Sequence, residues 1–276
     1  MPAPRLPALV LMLAAVGDGA AGLALPHAVL DAARARYACK SFDPSRPVEP
    51  AQLRLLADAA RAAPSSFNVQ PWRCVLVSSV EGRAALARGM LGANGQRVLE
   101  APLVAVFAAD LRACGRAARV AALAAAVGAP AAFVSRLPFY VSLFSSGYRL
   151  GLLKWPLFVA KRLAMALLGV LRAVPKLSTP ETWAFKNAMP AVTHLMLQAA
   201  ELGLATLPME GFDEGRVRAA LAIPRRYAIP CVVAVGHASE RAAAAPRAGR
   251  FEFDELFAAE TFGAPWVPPP APLPAA

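Results

Sequence analysis

Cysteine is scarce in this 276-residue chain: Cys39, Cys74, Cys114 and Cys231 form no CxxC pair and no cysteine–histidine cluster. That spacing supplies no zinc ligand set and no disulfide framework, so no metal is expected. Reduced, buried thiols in a cytoplasmic compartment are the expectation. The three histidines, His27, His194 and His237, lack a Ser, Asp or Cys companion in a recognisable nucleophilic arrangement and read as structural. Charged residues are only 17% of the chain, yet apolar residues are 57%, which excludes global disorder. No repeat of solenoid or propeller period is present. Acidic residues are missing altogether between Asp110 and Glu181, a stretch that carries ten of the 29 basic residues. Those ten sit among leucines, valines and phenylalanines rather than in a nucleic-acid reading motif, so nucleic acid is not the expected partner.

What is present reads as one domain over 27–264, with an N-terminal extension over 1–26 and a Pro-rich tail over 265–276. The extension has one arginine and an apolar run from Leu6 to Val16. It fits a disordered extension or an upstream start better than a secretory signal, and the run is too short to span a bilayer. A helical pattern from His27 to Phe42 leads into a basic turn. Pro50 to Ala63 predicts a helix, with Leu53, Leu56 and Ala60 on one face. Cys74–Ser78, Leu103–Ala108 and Cys231–Val235 predict strands, and Met189–Leu202 a long helix closed by Gly203. Strands that do not alternate strictly with helices imply an α+β class.

Four separated segments hold the candidate chemistry: RYACKSF at 36–42, APSSFNVQPW at 63–72, NGQR at 94–97, and LPMEGFD at 207–213 followed by Arg247 and Arg250. Each alone has an ordinary explanation. The APSS segment is a plausible helix stop; Arg36 and Lys40 have the spacing of a solvated helix face; PMEGFD can be a loop leading to an N-cap at Asp213. Together and in this order they resemble the FMN-dependent nitroreductase family, over about residues 34–263, with 111–180 largely outside the likeness. The most similar branch is that of the oxygen-insensitive NAD(P)H nitroreductases.

The resemblance implies a mostly antiparallel central sheet flanked by helices, and a homodimer with FMN at its interface. By that likeness Arg36, Arg250 and the nearby Arg247 serve the FMN phosphate, a role suited to guanidinium forks. Lys40 and Arg97 lie near the pyrimidine end, where positive charge favours the reduced flavin. Asn68 and Asn94 bond the polar ring edge, and Pro64, Ser65 and Ser66 hold the loop. Glu210 and Gly211 bring backbone to the flavin N(5), while Pro208 and Met209 pack on a flavin face. No protein residue is expected to act as acid, base or nucleophile. The implied reaction is ping-pong: NAD(P)H gives hydride to the flavin, then a nitroaromatic, quinone or similar small electrophile accepts two electrons.

Three departures stand out. Ala38 replaces a small hydroxyl residue, the Arg247–Arg250 spacing is unusual, and Phe67 stands beside the substrate cavity, where it would narrow it or stack on a planar substrate. Within an apolar, basic insert of about 130–178, residues 139–174 place Lys154, Lys161 and Arg172 on one helical stripe. A lid over the cavity, an extended dimer interface and peripheral contact with an anionic membrane are the readings, the lid first. The same fold and flavin also serve dehalogenation, desaturation or flavin cleavage, and a membrane-peripheral FMN-binding protein is the reading from a different class.

Overall fold

A computed structural model describes residues 27–145 and 154–269. The chain divides into two compact units, and the larger, Ala28–Arg247, contains all the strands. In chain order it runs α1 (Ala28–Ala35), α2 (Pro50–Arg61), a 3-10 turn (Ser66–Asn68), β1 (Trp72–Val77), α3 (Val80–Ala87), α4 (Asn94–Glu100) and β2 (Leu103–Asp110). A second 3-10 turn (Ala113–Arg116) leads to α5 (Ala117–Ala126), α6 (Ala131–Ser145), α7 (Lys154–Leu171) and α8 (Pro180–Glu201). Then come β3 (Ala205–Met209), α9 (Glu214–Ala220), β4 (Tyr227–Gly236) and α10 (Glu240–Ala243). The smaller unit includes the C-terminal segment, with α11 (Phe253–Leu256), a cluster of Phe253, Phe257 and Trp266, and a bridge between Ala258 and Pro265.

The sheet is antiparallel throughout, in the order β1-β2-β4-β3. Every residue of β2 and β4 is buried, because these central strands are covered on both faces. Side-chain alternation sends Leu103, Ala105, Phe107, Val233 and Val235 to one face, against Leu56 of α2 and Val192 and Leu195 of α8. Val104, Val106, Val232 and Ala234 face the other way, onto Leu86, Val98 and Val217 of α3, α4 and α9. The β2–β4 register slips between Phe107 and Ala109, where Ala108 of β2 faces two residues of β4, Ile229 and Pro230. Pro230 lies in that bulge, which lets a residue without an N–H occupy a central strand.

Several sequence-based boundaries shift. Pro208 and Met209, the start of the loop read over 208–213, instead end edge strand β3. The long helix α8 begins at Pro180, not Met189, with Thr179 as its N-cap and Pro190 inside it. Helix α1 stops at Ala35, so Arg36 and Lys40 are not on a helix face. Their segment runs beside β3, with Ala38 bridging Thr206 and the Cys39 N–H bonded to the Thr206 carbonyl at 2.9 Å. Within the predicted basic stripe, Lys161 turns toward α6. Lys161 is half-buried and its ammonium donates to the Ser142 carbonyl (3.2 Å) and the Leu143 carbonyl near the end of α6, and its burial lowers its pKa. The 1–26 extension, Arg149, Leu150–Leu153 and the end of the Pro-rich tail lie outside the described residues.

Candidate functional site

Three of the four sequence segments converge along β3. At its start, the 36–42 segment is pinned by the Ala38–Thr206 bridge, by Asp43 N–H to the His237 carbonyl, and by Ser239 N–H to the Ser41 carbonyl, at 2.9 and 3.1 Å. Arg247 joins it, its guanidinium 3.2 Å from the centre of the Tyr37 ring. Burial raises the Tyr37 pKa more than this cation lowers it, so the phenol is neutral at physiological pH. The buried Thr206 hydroxyl, beside Ala38, has no hydrogen-bond partner.

At the far end of β3 the chain turns through Glu210 and Gly211. The Gly211 carbonyl accepts from Leu91 N–H (3.0 Å) and from the Asn94 amide (3.1 Å), and the Asn94 oxygen accepts from Arg97 at 2.8 Å. Asn94, Arg97 and Gly211 are therefore one hydrogen-bonded cluster. A Cβ on Gly211 would sit 2.9 Å from the Asn94 amide nitrogen, so a larger residue there would push the Asn94 side chain out of this cluster. Pro208 is half-buried, Met209 buried and Glu210 exposed. Asp213 caps α9 as expected, its carboxylate accepting from Arg216 N–H.

The 63–72 segment is a separate, strained turn. Phe67, Asn68 and Gln70 all have positive φ (55°, 55° and 48°), which costs a non-glycine residue about 1–3 kcal/mol each. Side chains hold it: Ser65 Oγ accepts from Gln70 N–H (2.8 Å), and buried Asn187 on α8 accepts from Ser66 N–H (2.6 Å) while donating to the Trp183 carbonyl. Pro64, Ser66 and Asn68 are exposed. Phe67 lies parallel to Tyr140 of α6, with ring centres 6.2 Å apart, and 5.6 Å from Phe144. Sequence reasoning missed Asn187 and Tyr140, because only the long-range packing of α6 and α8 brings them to this turn. Arg250 belongs to the smaller unit, where it is exposed and donates to the Ala248 and Gly249 carbonyls. No cluster of metal-ligating side chains is present among the described residues.

An antiparallel sheet between helical layers, with cations at one end of β3 and an amide–guanidinium–glycine cluster at the other, defines an α+β protein of the nitroreductase type. The family model described as the nitroreductase family matches residues 33–237, and the chain belongs to that family. A Thermus thermophilus protein named NADH dehydrogenase is 31% identical over 77% of this chain and 89% of its own length. The oxygen-insensitive NAD(P)H nitroreductase of Salmonella typhimurium is 27% identical over 76% of this chain and 89% of its own length. A protein from Exiguobacterium sibiricum, solved in complex with FMN, shares the fold with a TM-score of 0.61 and 21% identity, over 84% of this chain and 97% of that one.

Proposed function

We propose that the protein is an FMN-dependent oxidoreductase that takes hydride from NAD(P)H and passes two electrons to a nitroaromatic, quinone or similar acceptor, the two substrates using one cavity in turn. The observation that carries this reading is the arrangement along β3. Arg36, Lys40 and Arg247 belong to the segments at its start, and the Asn94–Arg97–Gly211 cluster lies just beyond its end. Thr206 and Gly211 are five residues apart, about 16 Å along an extended chain. That is the scale of FMN from phosphate to ring. The donor set fits the cofactor: guanidinium and ammonium groups for a dianion, an amide and backbone for a polar ring edge. FMN, when bound, supplies the hydride chemistry, and the protein orients it and tunes its potential.

In this reading Arg36 and Arg247 hold the phosphate. Lys40 and Arg97 place positive charge where the reduced ring is negative. Asn94 and Asn68 bond the ring edge, Pro64, Ser65 and Ser66 hold the turn, and Pro208, Met209 and Glu210 form the wall around Gly211. A homodimer brings the Ser65–Asn68 turn of one copy to the cofactor of the other. Helix α6 roofs the acceptor cavity through Tyr140 and Phe144 on Phe67. Helix α7 is left outward. Among its described side chains only Phe158 is buried, while Leu163, Leu167, Val170 and Leu171 are 61–84% exposed, with Arg162 in the same helix and Arg172 just past its end also exposed. No helix among the described residues is long and apolar enough to cross a membrane. We propose instead that α7 rests on an anionic bilayer surface, which favours an apolar acceptor such as a quinone.

Fluorescence titration of the apoprotein with FMN tests the site. Wild type should bind, and Arg36→Gln and Gly211→Ala should each weaken binding about tenfold or more, the loss of one charge-assisted or backbone contact. Equal affinity in all three proteins would remove β3 from the cofactor site.

A further inference from the structure

A concavity lies against the strained turn. It has a volume of ≈ 360 Å³ and is lined by Arg73 of β1, Arg116 and Arg119 at the start of α5, and Arg226 before β4, with Asn68 and Gln70 on its rim. Beneath it is Asp110, only 2% exposed. Its carboxylate lies 3.2 Å from Arg226 and 3.8 Å from Arg116 and accepts from the Arg112 N–H at 3.0 Å. Arg116 also donates to the Gln70 carbonyl, and Arg226 lies over the Tyr227 ring while bonding its hydroxyl at 2.6 Å.

Four guanidinium groups thus line a cavity that holds one carboxylate beneath it, a formal excess of three positive charges. Arginines on a merely solvated surface spread apart, because like charges repel. Here Arg116 and Arg226 are held in place by Asp110 and by fixed acceptors. Arg73 and Arg119 reach the same space with no carboxylate partner among the described residues. Guanidinium forks that outnumber the carboxylates around one cavity are a donor set for a phosphate-type oxyanion.

We propose that this cavity binds a phosphate or carboxylate group carried by one of the enzyme's two substrates. The link to the substrate rests on the flavoenzyme reading above, through Asn68, which belongs both to the candidate flavin turn and to the cavity wall. Two sources carry such a group: the 2′-phosphate that distinguishes NADPH from NADH, and an acidic substituent on the acceptor.

The test uses FMN-loaded protein, so that the cofactor's own phosphate site is filled. Arg73 and Arg119 are exposed and lack ion pairs among the described residues, so the double variant Arg73→Gln/Arg119→Gln leaves no buried charge unpaired. Calorimetric titration with inorganic phosphate and with adenosine 2′-phosphate reads the cavity directly. Paired KM values for NADPH against NADH, and for nitrobenzoate against nitrobenzamide, identify the source. Expected are phosphate binding by wild type, its weakening by tenfold or more in the double variant, and a matching rise in KM for NADPH alone or nitrobenzoate alone. No phosphate binding by wild type, or equal binding by the two proteins at equal FMN content, overturns the proposal and leaves the flavin reading intact. A protein that takes up no FMN overturns the link to the substrate, whatever the phosphate titration shows.

Discussion

His237 follows β4 and its carbonyl anchors the 36–43 segment through Asp43 N–H. Burial, and next the Arg46 charge, hold its imidazole below the ordinary histidine pKa, against an opposing pull from Asp43. A depressed histidine pKa means that the unfolded chain binds more protons between the depressed and the ordinary value. Stability is therefore fully present above about 6.5, the unfolded value, and falls as pH drops through that window. Urea melts at pH 7.5 and 5.5 should show this loss, and His237→Gln should reduce it. An undiminished loss in the variant would assign the pH dependence to other groups. At this scale the sequence was informative where a local signal suffices, as for Asp213 as an N-cap. It was uninformative for Asp110, Asn187 and Tyr140, whose partners lie far away in sequence.

At the scale of elements, the central strands and α2 were legible because apolar runs and a proline-started amphipathic helix are local signals. Strand β3 was not. It is short and contains Pro208, and only pairing to β4 along one edge makes it a strand. The early end of α1 was hidden for a similar reason, since the Thr206 carbonyl draws the Cys39 N–H out of any helical pattern. The Ser66–Asn68 turn depends on α8 most directly through Asn187. Asn187→Ala leaves the Ser66 N–H without its partner and should cost about 1–3 kcal/mol in chemical denaturation. It should also increase amide exchange through residues 65–70. Wild-type exchange in that turn would show that the strained backbone is held by something other than α8.

For the whole molecule, the charge asymmetry that stands out in the sequence is concentrated over α5–α7 and the Arg73–Arg226 cavity, and the sheet and its helical layers are built from the rest. The outward face of α7 carries the membrane proposal. Wild-type protein should float with vesicles containing anionic lipid and detach at high salt, since each basic residue near such a surface contributes about 1 kcal/mol. Leu163→Asp/Leu167→Asp should stay in the soluble fraction. A double variant that floats equally, or a wild type that floats with neither neutral nor anionic vesicles and instead changes oligomeric state on mutation, would assign α7 to protein contact.

The central claim is that segments far apart in sequence meet along β3 to hold one flat anionic cofactor. The visible spectrum of the purified protein, after incubation with FMN and desalting, tests it most directly. Retained flavin absorbance that bleaches on anaerobic addition of NADH or NADPH and returns with a quinone is the predicted result. A colourless protein, or a bound flavin that neither nicotinamide reduces, would contradict it.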